Sequence, residues 1–231
     1  MKHIHLDKIK NLESVPKKVN LFSEKEIKMI QELYIKLPER TFNKKQNIRK
    51  KTWIQNYNKE LDKIYLNKLR DELGDFKMDN LKSESGEDYY GLFHESFSPL
   101  PIHVDSGFDA EAIIYKQIVT PLTPFGDTVF FKKRWYGRST TFTNDPEDLK
   151  FKGKPDQNDR SNEHLGDKEF DRKLHEKYLT HIDINNLKGL EVEFIYNWKV
   201  GESLIVDRSH IHCSSSRIKE RKLGLTTFTR K

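Results

Sequence analysis

Apolar positions recur with two different periods along the chain, and the change from one to the other falls near residue 86. In "SEKEIKMIQELYIKL", Ile27, Ile30, Leu33, Tyr34 and Leu37 lie on one face of a helix. Ser23 with Glu26 three residues on matches a capping box, and Pro38 stops the run. "NKELDKIYLNKLRDELGDF" repeats the design, with Leu61, Ile64, Tyr65, Leu69, Leu73 and Phe76 in a stripe and Gly74 near its end. Two amphipathic helices are therefore predicted, each with an apolar face that needs a partner surface.

After residue 86 the helical period gives way to short runs rich in β-branched and aromatic residues: "YYGLFHESF", "AIIYKQIVT", "TVFF", "EVEFIYNW", "ESLIVD" and "LGLTTFT". Pro, Gly, Asn and Asp separate them as turn formers. Between about 138 and 175 a polar, Asp- and Lys-rich stretch lacks an apolar period, the usual mark of a lid or a disordered insertion. The pattern predicts one α+β, mostly β domain over residues 1–231. Its helical part spans 1–85, and a β-sandwich or barrel follows over 86–231 with the helices packed outside.

Composition adjusts this picture in three ways. Hydrophobic residues make up 35% and charged residues 34%, but fourteen Phe, nine Tyr and three Trp supply the large buried areas a core requires. The net charge of +6 comes from interspersed charges without a long basic block, so a solvated mixed surface is expected rather than a nucleic-acid partner. The single Cys213 excludes an intrachain disulfide and a Cys-rich zinc site. There is no apolar h-region near the N-terminus and no run of the length a membrane span needs, so the expected location is cytoplasmic.

The candidate chemistry starts at "SPLPIHVDSGFD", where His103 and Asp105 are one residue apart. On a strand such residues share a face. An imidazole and a carboxylate there, with a third ligand from another strand, form the two-His, one-carboxylate facial set of non-heme Fe(II) oxygenases. His-x-Asp also occurs at His5/Asp7 and His181/Asp183. His5 precedes any β pattern, and His181 leaves room for only about two strands before the histidines near the C-terminus, so both are read as surface residues. In "SLIVDRSHIHCSSS", His210 and His212 share a face of an extended strand, and spacing does not choose between them.

"WKVGESLIVDRSHIHCSSSRIKERKLGLTTFT" resembles the distal half of the Fe(II)- and 2-oxoglutarate-dependent dioxygenases, and "PIHVDSG" followed by "YKQIVTPLTPFGDTVFF" resembles the proximal half. The similarity covers roughly residues 88–231. It implies a double-stranded β-helix (jelly-roll, cupin-like) core, Fe(II) held by His103, Asp105 and His212, and 2-oxoglutarate as cosubstrate. His212 is the histidine that closes the Asp-Arg-Ser-x-x-His run; His210 takes a position usually apolar, which leaves it a role beside the metal or toward substrate.

The resemblance also implies a basic residue about ten positions after the distal histidine, and both Arg221 and Lys222 qualify. Alternation groups Arg221 with Leu223 and Leu225, and Lys222 with Gly224 and Thr226. The second face suits a dicarboxylate pocket, so Lys222 is preferred, with Arg221 the alternative if the register slips by one. Tyr115, Gln117 and Thr128 are further candidates to hydrogen-bond 2-oxoglutarate, whereas Trp135 and Trp198 read as core or edge aromatics and Cys213 as an apolar filler. The implied reaction is hydroxylation of an unactivated C–H bond of a small-molecule or peptide substrate, with release of succinate and carbon dioxide. The competing reading is a cupin-like module that binds a small ligand or sugar without catalysis. Substrate and oligomeric state stay open.

Overall fold

A computed structural model of the chain describes residues 2–38, 41–43, 48–54, 57–79, 89–151, 157–218 and 220–231. Helix α1 (Leu6–Asn11) and strand β1 (Lys17–Val19) precede α2 (Glu24–Lys36). Strands β2 (Thr41–Asn43) and β3 (Ile48–Ile54) lead into α3 (Lys59–Leu73) and β4 (Lys77–Met78). Next come β5 (Tyr89–Ser96), β6 (His103–Val104), β7 (Ile114–Pro121), β8 (Asp127–Arg134), β9 (Thr140–Phe142) and β10 (Asp159–Ser161). The short helices α4 (Pro146–Leu149) and α5 (Arg172–Tyr178) flank β10, and β11 (Val192–Asn197), β12 (Ser203–Asp207), β13 (His210–Ser214) and β14 (Lys222–Arg230) complete the chain.

Among the described residues the strands form two sheets. The larger runs β1-β12-β7-β14-β5-β3-β2 with β4 beside β14, and the smaller runs β10-β9-β6-β13-β8-β11. Strands β5, β7, β12 and β14 belong to the larger sheet and β6, β8, β11 and β13 to the smaller. The chain thus crosses repeatedly from one sheet to the other, which is the jelly-roll arrangement. Strands β6 and β13, which carry His103 and His212, are neighbours in the smaller sheet, while β14 belongs to the larger one.

The two predicted helices form where their stripes require. Ser23 Oγ accepts from the Glu26 amide at 3.3 Å and Glu26 Oε2 accepts from the Ser23 amide at 2.7 Å, so the capping box is closed at both bonds. Asn58 caps α3, and Gly74 ends it at φ +66°, a conformation that favours glycine. Ile27, Ile30, Leu33, Leu61, Tyr65 and Leu69 are buried against Trp53, Phe93, Ile118, Leu223 and Leu225 on the outer face of the larger sheet. Each fully buried side chain of this kind stabilises the fold by about 1.5–3 kcal/mol. This packing has a consequence inside the molecule: with Leu223 and Leu225 turned to the helices, Lys222 and Gly224 face the other sheet.

Two sequence expectations need correction. Residues 1–85 are not only helical, because β1 pairs with β12 and β3 with β5 across long sequence separations. The charged sequences "KKV" and "IRKKTWI" hide this, since their partners lie far along the chain. The polar stretch is partly built into the core. Strand β9 pairs with β6 and β10 with β9, and Phe142 and Phe170 are buried in a second cluster with Val104, Phe131 and Ile211. Residues 152–156 lie outside the described residues. No helix among the described residues is long and apolar enough to cross a membrane.

Candidate active site

His103 pairs in register with His212, and the ring centroids are 4.3 Å apart. Asp105 follows β6 directly, and its Oδ2 stands 3.9 Å from His103 Nε2 and 3.5 Å from His212 Nε2. One donor atom from each of the three lies within 4.8 Å of the others, so they are placed to share one ion. His103 Nδ1 donates to the Pro101 carbonyl at 2.8 Å and His212 Nδ1 to the His210 carbonyl at 3.0 Å. Carbonyls only accept, so Nδ1 carries the proton in each ring and the Nε2 lone pair is free to coordinate.

Burial, reinforced by the His212 ring, pushes the His103 pKa down to about 4, which keeps this imidazole neutral as a ligand must be. Burial acts to raise the Asp105 pKa, but the neighbouring His212 and His103 rings and the Arg208 charge hold the carboxyl below the usual range. Asp105 is also fixed mechanically. Gln117 Nε2 donates to its Oδ2 at 3.0 Å, and the Nε of buried Arg208 donates to its carbonyl at 3.0 Å. Arg208 in turn pairs with Asp79 and donates to Thr229 on β14.

Lys222 extends from β14 into the space between the sheets and is 5% exposed. Its Nζ lies 3.2 Å from the Asp127 carbonyl, 3.3 Å from Thr128 Oγ1, 3.4 Å from Ser214 Oγ and 4.2 Å from the centroid of the Trp198 ring. All these contacts are with neutral groups. Burial pushes its pKa down to about 7, against a smaller opposing effect of Asp127. A buried ammonium without a carboxylate partner is costly, and an incoming anion relieves that cost.

The other sequence candidates divide cleanly. Gln117 and Thr128 stand with the cluster, Gln117 on Asp105 and Thr128 on Lys222. Arg221 is on the opposite face from Lys222, half exposed, with Nη1 3.2 Å from Glu95. Tyr115 does not share a face with Gln117. Its hydroxyl donates to the Leu73 carbonyl at the end of α3, and its ring packs against the helical core beneath the Lys231 ammonium. The pairing of β14 with β7 shifts between Phe228 and Arg230, and this irregularity interrupts the alternation by which residues two apart on β7 would share a face. His210 is buried with Nε2 3.0 Å from Glu193, which also takes Arg134 at 3.0 Å. His181 is partly buried rather than on the surface and bonds the Leu100 carbonyl.

Trp198, read from sequence as a core or edge aromatic, packs on the cluster of Phe130, Tyr196, Leu204 and Val206 and also touches the Lys222 pocket. His94, which sequence reasoning missed, lies beside Gly224 and Lys50 in the sheet register, and its buried Nε2 has no hydrogen-bond partner among the described residues. Burial and the nearby Lys50 and Lys222 push its pKa down to about 3. Strand alternation in "GLFHES" was the available signal, since it sets His94 on the face of Leu92 and Ser96.

No protein-family model and no curated protein matches the chain. Among solved structures it is similar to an oxidoreductase of the 2OG-Fe(II) oxygenase family from Burkholderia pseudomallei, at 12% identity over 97% of this chain and 90% of that one, with a TM-score of 0.50. It is also similar to the epimerase SnoN in complex with Fe3+, alpha ketoglutarate and nogalamycin RO, at 9% identity over 98% and 84% of the two chains, TM-score 0.53. A third similar structure is the alpha ketoglutarate dependent carbocyclase SnoK from nogalamycin biosynthesis, at 8% identity over 97% and 83%, TM-score 0.51. At such identities the likeness is one of fold.

Proposed function

We propose that this chain, which has the fold of the 2OG-Fe(II) oxygenases, is an Fe(II)- and 2-oxoglutarate-dependent oxygenase that hydroxylates a C–H bond of a small organic substrate. The observation that carries the proposal is the presence in one inter-sheet space of a His-Asp-His donor set and a buried lysine whose hydrogen-bond partners among the described residues are all neutral. The donor set suits Fe(II) by its chemistry, two neutral imidazoles and one carboxylate. The lysine suits the far carboxylate of a dicarboxylate cosubstrate.

In this reading His103 Nε2, Asp105 Oδ2 and His212 Nε2 hold the metal, and Lys222 with Thr128 holds the cosubstrate. When bound, the iron and 2-oxoglutarate together supply dioxygen activation coupled to oxidative decarboxylation to succinate and carbon dioxide. The chain's own residues bind and orient. The Pro101 and His210 carbonyls fix the tautomers of the two histidines. Gln117 sets the rotation of the Asp105 carboxylate, and Arg208 ties the same loop to β14. Phe130, 1% exposed and stacked on His212 at 5.2 Å, keeps water from that side of the ring.

Hydroxylation is taken as the outcome because it needs no further residue. SnoN and SnoK, an epimerase and a carbocyclase, show that the same fold serves other endings. The test is anaerobic loading with Fe(II), followed by oxygen and 2-oxoglutarate across a panel of amino acids, peptides and small metabolites. Succinate formation stimulated by one of them is the expected result. Tight ligand binding with no succinate from any iron-loaded preparation favours a cupin-like binder instead.

A further inference from the structure

The Lys222 pocket has an internal hydrogen-bond logic that assigns a task to Trp198. Its indole N–H donates to Thr128 Oγ1 at 3.0 Å, and Lys222 Nζ donates to the same oxygen at 3.3 Å. An indole N–H and an ammonium only donate, and a threonine hydroxyl has two acceptor sites and one proton. Both acceptor sites of Thr128 are therefore occupied by donors, and its own O–H is left to point elsewhere. Among the described residues Thr128 Oγ1 makes no hydrogen bond beyond these two.

The indole is held firmly enough to impose this. A Cβ at Gly224 would meet Trp198 Cη2 at 2.6 Å, so only glycine leaves room for the ring at that register position. The Trp198 amide bonds the Gly126 carbonyl at 3.3 Å. The Lys222 ammonium sits over the ring face at 4.2 Å, where the π cloud partly replaces a counterion.

We propose that Trp198 is a positioning residue of the cosubstrate pocket: it turns the Thr128 hydroxyl into an obligate donor, which with Lys222 forms a two-donor site for a carboxylate. The inference rests on the 2-oxoglutarate reading of the site and extends it to a residue that touches neither the metal nor the carboxylate. A cation beside a hydroxyl whose two acceptor sites are already filled favours an anion over a neutral amide or alcohol of the same size.

The test is calorimetric titration of 2-oxoglutarate into the chain loaded with Zn(II), which reads binding without turnover. Trp198→Phe keeps the ring and removes the N–H, and its affinity is expected to fall about tenfold, the value of one hydrogen bond to a charged system. Thr128→Val is expected to lose at least as much, and Thr128→Ser to retain affinity. The double variant Trp198→Phe/Thr128→Val is expected to bind no more weakly than Thr128→Val alone, because the indole acts through the hydroxyl. Losses that multiply independently, or wild-type affinity in Trp198→Phe, overturn the inference while leaving the cosubstrate reading intact. Absence of 2-oxoglutarate binding by the wild-type chain overturns both. If Trp198→Phe fails to fold, the Thr128→Val and Thr128→Ser pair carries the test: equal affinities in the two refute a hydroxyl donor.

Discussion

His103 and His212 are direct register partners across β6 and β13, and their imidazoles leave adjacent strands side by side with centroids 4.3 Å apart. Their spacing is set by sheet hydrogen bonding rather than by a loop, so the pair is rigid before any ion arrives. His210, two residues earlier on β13, directs its Nε2 to Glu193 instead. Spacing in the sequence left these two histidines equivalent; their partners make them different.

That difference is measurable. His212→Ala is expected to bring iron content after anaerobic loading and gel filtration to background. His210→Ala keeps all three donors and loses the bond to Glu193, a cost of about 1–3 kcal/mol in stability, with iron retained. Iron lost from the His210 variant and kept by the His212 variant reverses the assignment.

Lys222 and Arg221 separate in the same way. Arg221 lies outside on Glu95, a carboxylate that also takes Arg49 at 2.6 Å. Arg221→Ala is expected to leave the 2-oxoglutarate requirement nearly unchanged. Lys222→Ala removes the ammonium that bonds Thr128 in the pocket, and KM for 2-oxoglutarate is expected to rise about 10–100-fold, the worth of a charge-assisted bond. Equal effects of the two substitutions would place the cosubstrate elsewhere.

The lysine also predicts a pH dependence. Burial lowers its pKa to about 7, so the empty pocket gives up the proton near neutrality. A bound carboxylate favours the ammonium and raises the pKa, so binding above pH 7 must take up a proton. Affinity for 2-oxoglutarate is then fully developed below pH 7 and falls as pH rises, by at most tenfold per unit. Lys222→Arg stays charged throughout and is expected to flatten the profile. A wild-type affinity that does not change between pH 6 and 9 removes Lys222 from the site.

Much of this was legible in the chain, and the limits have physical causes. The helix stripes and the capping box were readable because their partners lie within a few residues. The facing of Lys222 followed from two leucines that the helices must cover. Strand β3 was hidden because Arg49, Lys50 and Lys51 obscure its period and its partner β5 is about forty residues on. Trp198 was underrated because it follows β11 rather than lying within it, and only the third dimension brings it over Gly224. Tyr115 stood among the cosubstrate candidates because the shift in the β14–β7 register that turns it toward the helices leaves no mark in the sequence.

The same shift provides the last test, since Tyr115 and Gln117 now have opposite expectations. Gln117 donates to Asp105 Oδ2, the oxygen that lies near both His103 and His212, in a carboxylate that otherwise rotates about its own χ2. Partners of this kind orient a ligand without touching the ion, and losing one costs about 10–100-fold in metal affinity. Gln117→Leu, similar in volume but without a donor, is expected to weaken Mn(II) binding by that factor in a competition titration. Tyr115→Phe loses only a 3.3 Å bond to the Leu73 carbonyl on the far side of the sheet. Its metal and 2-oxoglutarate affinities should match the wild type. Should Tyr115→Phe impair either one while Gln117→Leu impairs neither, the register reading of β7 is wrong, and with it the placement of Asp105.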